Sequence, residues 1–131
     1  SIRKRWFYYL VMEYKGTIAI RQRMGKDIWN QLYEFPVIET SAEQEATHIL
    51  TQAEKQDWLL PKKYIKVSVS PLFKQQLSHQ LIAGQFITVQ LDKKPTIKDT
   101  VWLTAKEMTD YPFPKFINQF LEGNKAQQSL F

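Results

Sequence analysis

Glu34–Gln56 reads "EFPVIETSAEQEATHILTQAEKQ", and its interpretation decides the fold. From Thr40 onward the pattern is helical. Thr40 or Ser41 stands at the N-cap position, and Glu43 and Gln44 follow three residues later, where a capping box needs them. Ala42, Ala46, Ile49, Leu50 and Ala53 recur at helical spacing, so one stripe faces a core. Just before it, Tyr33–Phe35 reads as a short strand and Pro36 limits further pairing.

On either side of this helix the chain is β-rich. Upstream, Trp6–Met12 and Thr17–Arg23 flank the turn "EYKG", where Gly16 supplies the positive φ of a hairpin. Downstream, "YIKVSVSP" (64–71) alternates with period two. "QLIAGQFITVQL" (80–91) is a longer strand, with Leu81, Ala83, Ile87, Val89 and Leu91 on one face. "DKKP" is a turn, "TVWLT" a strand, and Thr104-x-x-Glu107 caps a short helix. "PFPKFINQFLEG" (112–123) is a closing helix, with Pro114 at its start and Gly123 just past its end. The order β-β-β-α-β-β-β-α predicts one α+β domain over 1–123, a mixed sheet with two main helices packed on it. Residues 124–131, "NKAQQSLF", read as a weakly ordered tail.

Composition narrows the chemistry. Eighteen Lys and Arg against thirteen Asp and Glu give +5, which favours an acidic partner such as nucleic acid without demanding one. With no cysteine among 131 residues, disulfides, thiolate nucleophiles and iron–sulfur ligation are excluded within this chain. No apolar run is long enough to cross a membrane, and the basic start runs into an aromatic stretch instead of a cleavable leader. The two histidines, His48 and His79, stand far apart and make a metal site improbable. His48 falls off the helix stripe and reads as a surface residue. Trp29, Tyr33, Phe35, Trp58, Tyr111, Phe113 and Phe116 read as core.

A sheet with a helix after "EFP" invites comparison with the Nudix pyrophosphatases. Their chemistry places clustered carboxylates on a loop and helix to hold magnesium against a diphosphate, in the pattern G-x5-E-x7-R-E-x2-E-E-x-G. Counted from Gly25, the first Glu falls on Gln31, and the helix offers Glu43 and Glu45 but no Arg and no Glu-Glu pair. The expectation is a Nudix-like shape without the hydrolase; Glu43 and Glu45 then serve the helix N-terminus through its dipole. Ser78 and His79, side by side at the start of a strand, point to opposite faces and make no nucleophile–base dyad. They read as two hydrogen-bonding side chains at a loop tip. "RKRW" (3–6) and "PKKYIK" (61–66) interleave basic and aromatic residues, as phosphate-binding surfaces and solvated strand edges both do.

Three ordered segments, "GKDIWNQLYEFPVIE" (25–39), "QQLSHQLIAGQF" (75–86) and "YPFPKFINQFL" (111–121), together resemble the C-terminal domain of the MutY adenine DNA glycosylases. Asn30-Gln31 replaces a small Gly of the family's first segment, and Leu77 stands where the family often has Phe. The resemblance implies a lesion-recognition domain of an enzyme that removes adenine mispaired with 8-oxoguanine in base excision repair. It implies Leu77, Ser78 and His79 as the lesion-reading loop, with Lys62, Lys63, Lys66 and Lys74 on DNA phosphates. Neither catalytic residues nor a metal would lie in this chain. The catalytic helix-hairpin-helix domain and its [4Fe–4S] cluster would lie upstream. The partners implied are duplex DNA containing 8-oxoguanine:adenine and the catalytic domain in cis, in a bacterial-type, cytoplasmic, monomeric protein. The alternative is a free-standing Nudix-like hydrolase of an oxidised nucleotide.

Overall fold

The computed structural model describes the backbone of residues 2–129 and the side chains of residues 2–124. Two twelve-residue strands form its axis. β1 (Arg3–Tyr14) and β7 (Gln80–Leu91) run parallel in register from Arg3↔Gln80 to Glu13↔Gln90. On its other edge β1 carries β4 (Val37–Thr40) beside its first half and β2 (Thr17–Gln22) beside its end. β3 (Tyr33–Glu34) and β8 (Val101–Leu103) both pair with β2. The far edge of β7 is shared by β6 (Phe73–Gln76) on its first half and β5 (Tyr64–Val69) on its second. The result is an eight-stranded mixed sheet.

Helices cover both faces. Trp6, Tyr8, Leu10 and Met12 of β1 point to the side of α1 (Ala46–Lys55) and pack with Ile49, Ala53, Trp58 and Leu59. Phe7, Tyr9 and Val11 point to the side of α2 (Ala105–Met108) and α3 (Lys115–Ser129) and pack with Phe35, Phe113, Phe116 and Phe120. A strand covered on both faces reads as a continuous apolar run, which is why "WFYYLVM" lacks alternation. The same holds for β7. Ala83, Ile87, Val89 and Leu91 share one face as expected, yet Ile82 and Phe86 are also fully buried on the other.

Several boundaries differ from the sequence reading. Val37–Thr40 is a strand, so Pro36 does not end pairing; its carbonyl accepts from the Leu10 N–H at 2.8 Å. Because Thr40 is held opposite Trp6, α1 begins only at Ala46, with Glu45 at the N-cap and no side-chain cap bond. The Gln44 N–H donates instead to the Tyr8 hydroxyl at 2.7 Å. A tertiary contact thus replaces the capping box expected from Thr40 or Ser41, and Ala42 lies outside the helix. Gly123 lies inside α3 and does not end it. The expectation for the last residues of the tail, Leu130 and Phe131, lies outside the described residues. The capping box at Thr104 and Glu107 is present, with N–H bonds of 2.9 and 3.2 Å. The Lys15–Gly16 turn takes φ of 47° and 79°. Phe35, Trp58, Phe113 and Phe116 are buried, Trp29, Tyr33 and Tyr111 are half-buried, and His48 is exposed.

Candidate nucleic-acid interface

The β6–β7 connection is a two-residue tip. Gln76 pairs with Leu81, and the Leu77 N–H donates to the Gln80 carbonyl at 2.7 Å, leaving Ser78 and His79 at the apex. Both are exposed, and among the described residues neither side chain bonds to protein. The residues on either side of them are braced. Leu77 is half-buried and packs on the α3-side core. The Gln76 amide donates to the Leu77 and Gln80 carbonyls at 2.7 and 3.1 Å. The His79 carbonyl accepts from the Arg3 N–H at 3.1 Å. The tip therefore presents a hydroxyl and an imidazole from a rigid base, as a recognition element requires.

Arg5 lies directly beneath. Sequence places it among exposed basic residues, but its side chain is only 4 % exposed. Its guanidinium meets Glu39 at 2.7 and 2.7 Å and Asp27 at 2.8 and 2.9 Å, both in the bidentate fork that planar guanidinium favours. A fifth bond, at 3.0 Å, goes to the side chain of Gln80, the residue after His79. The ion pairs continue through Arg23 to Asp27 and Glu34, and through Arg21 to Glu34. Both Arg5 and Arg23 lie against the Phe7 ring, 4.9 and 5.2 Å from its centre. Hydrogen bonding to Glu39 and Asp27 raises the Arg5 pKa further, so its charge is permanent. The bond from Arg5 holds the Asp27 carboxyl well below the usual carboxylate range. No local signal in the sequence announced Arg5, Asp27 or Gln80, because their partners lie 22 to 75 residues apart.

The four lysines assigned to phosphates are all exposed, but the fold does not gather them. Lys74 is near the tip, in β6 opposite Ala83, whose side chain faces α1. Lys66 neighbours Val67, which packs on the α1 side, so alternation sends Lys66 to the other face. Lys62 and Lys63 precede Tyr64, which pairs with Leu91 at the opposite end of β7, roughly 35 Å from the tip at about 3.3 Å per residue. Arg3 and Lys4 also stand beside the tip, and with Arg5, Glu39, Thr40 and Ser41 they line a cleft of about 380 Å³.

The Nudix pattern finds no counterpart here. Within Ala46–Lys55 the single carboxylate is Glu54, while Ile49 and Ala53 are buried in the core. Asp27 and Glu39 are engaged by Arg5, and among the described residues no three His, Cys, Asp or Glu side chains converge on a metal position. The clustered carboxylates with which the Nudix pattern holds magnesium are thus not gathered among the described residues. A separate groove of about 720 Å³, floored by Phe73, Phe86 and Phe120 and edged by Ser68, Ser70 and Thr88, opens beside the β5–β6 edge. Among the described residues no helix is long and apolar enough to cross a membrane.

A family profile for the NUDIX domain matches residues 7–123. No curated protein matches the chain in sequence. Among solved structures, the C-terminal domain of mouse MUTYH, determined in complex with human PCNA, superimposes with a TM-score of 0.76 at 17% identity. That match covers 95% of this chain and 90% of that one. MutT from Aliivibrio salmonicida and Vibrio cholerae gives 0.64 at 16% identity, covering 95% and 98%. The NUDIX domain of Shewanella oneidensis NrtR, in complex with ADP ribose, gives 0.66 at 12%, covering 100% and 90%. At these identities the likeness is one of fold.

Proposed function

The chain belongs to the NUDIX domain family, and from that premise we propose that it is a non-catalytic domain that recognises 8-oxoguanine in duplex DNA, within an adenine DNA glycosylase. The observation that carries the reading is the Ser78–His79 tip: two exposed hydrogen-bonding side chains on a turn closed by the Leu77–Gln80 bond and tied to Arg3 through the His79 carbonyl. The likeness to the MUTYH C-terminal domain supports it, as does the lack of a magnesium-ligand set on α1.

Guanine presents N7 as an acceptor in the major groove. Oxidation at C8 makes N7 a donor and adds a carbonyl oxygen. The Ser78 hydroxyl both donates and accepts, so it serves N7–H or O8 equally well. A hydroxyl on a mobile loop would serve ordinary guanine too. Discrimination comes as well from the fixed position of the tip, which sets where the Ser78 oxygen and its backbone N–H stand relative to the base. One such bond is worth about 1 kcal/mol net, a several-fold preference. His79 adds a second hydrogen bond or a phosphate contact. The catalytic domain in cis, with its [4Fe–4S] cluster, would extrude and cleave the adenine, and linkage would raise the local concentration of this domain at the lesion.

The test compares affinity for duplexes with adenine opposite 8-oxoguanine and opposite guanine, in the joined protein, with Ser78→Ala and with Leu77, Ser78 and His79 all replaced by alanine. Preference for the damaged base should shrink several-fold while guanine binding holds. Equal loss on both duplexes would reduce the tip to a support, and no change would move recognition elsewhere. A second reading, a free-standing hydrolase of an oxidised nucleotide, draws on the aromatic-floored groove beside Phe86 and on the MutT fold likeness. Magnesium-dependent release of phosphate or pyrophosphate from 8-oxo-dGTP by this chain would establish it against the first.

A further inference from the structure

We infer that the cleft between α2 and α3 is a binding pocket for a small organic cation, an ammonium or guanidinium head on a compact apolar body, with Glu13 as its counter-ion. The inference is independent of the lesion-reading function proposed above. Arg3 stands beside the Ser78–His79 tip and Glu13 at the far end of β1, so pocket and tip lie roughly 30 Å apart at about 3.3 Å per residue.

Register is the first argument. Phe7, Tyr9 and Val11 of β1 all pack on the α3-side core. Strand alternation sends Glu13 to the same face, where the pattern calls for one more apolar residue. Ile18, which stands opposite Glu13 in β2, packs on that core as well. Glu13 is half-buried, and among the described residues no hydrogen bond or ion pair reaches its carboxylate. Burial lifts its pKa above the ordinary value, with no neighbouring charge to offset it. The adjacent cation, Lys15, is engaged elsewhere: its Nζ lies 5.3 Å from the centre of the Tyr14 ring, and Tyr14 packs on the α1 side. A carboxylate desolvated without a partner costs stability, which a ligand of opposite charge would return.

The shape and polarity of the cleft decide what that ligand is. Its volume is about 250 Å³, with Val11 and Ile18 from the sheet and Met108, Tyr111, Phe120 and Leu121 from the helical side. Drug-sized ligands need roughly 300–1,000 Å³, so the occupant is smaller. Two carboxylates line the cleft, Glu13 and the exposed Glu122, and among the described residues no Lys, Arg or His does, in a chain whose net charge is +5. The Asn118 amide donates to the Phe113 carbonyl at 3.2 Å, and the Thr109 hydroxyl to the Lys106 carbonyl at 2.7 Å. Both residues thereby keep an oxygen free to accept. A pocket of apolar walls and hydrogen-bond acceptors around an unpaired carboxylate selects a donor that carries positive charge.

The test titrates the ¹⁵N-labelled chain at pH 7 with benzylammonium and, separately, with benzyl alcohol, its neutral counterpart of the same shape. Amides of Val11, Glu13, Ile18 and Met108 should shift saturably with the amine, and the alcohol should bind about tenfold more weakly, as the loss of a charge-assisted bond implies. Glu13→Gln should bring the two affinities together. Its melting temperature should equal or exceed the parent's, since the desolvated charge is gone. Glu122→Gln, at the exposed rim, should weaken amine binding less than Glu13→Gln does. Equal binding of amine and alcohol by the parent chain would make the cleft an apolar crevice and overturn the inference. The absence of saturable shifts through the millimolar range would overturn it too, as would an amine preference that survives Glu13→Gln. A Glu13→Gln chain that melts lower than the parent would show that Glu13 already has a partner within the fold, and would remove the basis of the inference.

Discussion

Replacing Arg5 by Gln removes a buried cation and leaves Asp27 and Glu39 facing each other. Arg5 makes five side-chain hydrogen bonds, four of them to carboxylates. Breaking a buried ion pair from one side costs about 3–5 kcal/mol, because the abandoned charge stays desolvated. Here the two carboxylates are 37 % and 35 % exposed and recover part of their hydration. The expected loss is therefore about 2–3 kcal/mol. For a chain of this length each kcal/mol shifts Tm by about 3–4 °C, so circular dichroism should report a fall of roughly 6–12 °C at pH 7. Combining Arg5→Gln with Asp27→Asn and Glu39→Gln removes the stranded charges and should restore at least half of it. The pH dependence has a fixed sign. Asp27 is held below its unfolded pKa of about 3.9. Its contribution is complete above pH ~5 and is lost as pH falls through the folded value. The gap between parent and Arg5→Gln should accordingly narrow on acidification below pH ~4. A loss under about 0.5 kcal/mol, a gap that ignores pH, or a triple variant no better than the single would refute the reasoning.

Further outcomes follow from single contacts. Thr104→Ala should cost about 1 kcal/mol by denaturant titration, since it dismantles the capping box, whereas Ser41→Ala should change almost nothing; equal effects would restore the helix start at Ser41. Gly84→Ala would put a methyl carbon 2.1 Å from the Phe7 carbonyl oxygen, between the two axial strands. A loss of about 1–3 kcal/mol or more is expected, and a neutral result would mean the β1–β7 spacing yields freely. Tyr9→Phe should be neutral or stabilising, because among the described residues the buried Tyr9 hydroxyl has no hydrogen-bond partner and burial drives its pKa well above the ordinary value. A loss above about 1 kcal/mol would reveal a partner for that hydroxyl.

Much was legible in the sequence where the deciding contacts are local. The Lys15–Gly16 hairpin, the Thr104 capping box and the strand at 80–91 depend on residues within a few positions of one another. So does the two-residue tip at Ser78–His79. The aromatic run Trp6–Met12 announced a strand, while its burial on both faces came from the helices that cover it. Other features were set by partners far along the chain. Val37–Thr40 becomes a strand because the first half of β1 has a free edge there, and that pairing pushes the start of α1 from Ser41 to Ala46. "FKQQ" becomes β6 because it closes against β7. Arg5 reads as a surface cation in "RKRW", and only the parallel docking of β1 on β7, with the 23–34 loop folded over it, buries it between Asp27, Glu39 and Gln80. Periodicity and capping record what a segment prefers alone. Sheet pairing and buried charge pairing are decided by what arrives beside it, and those energies exceed the local preferences that they override.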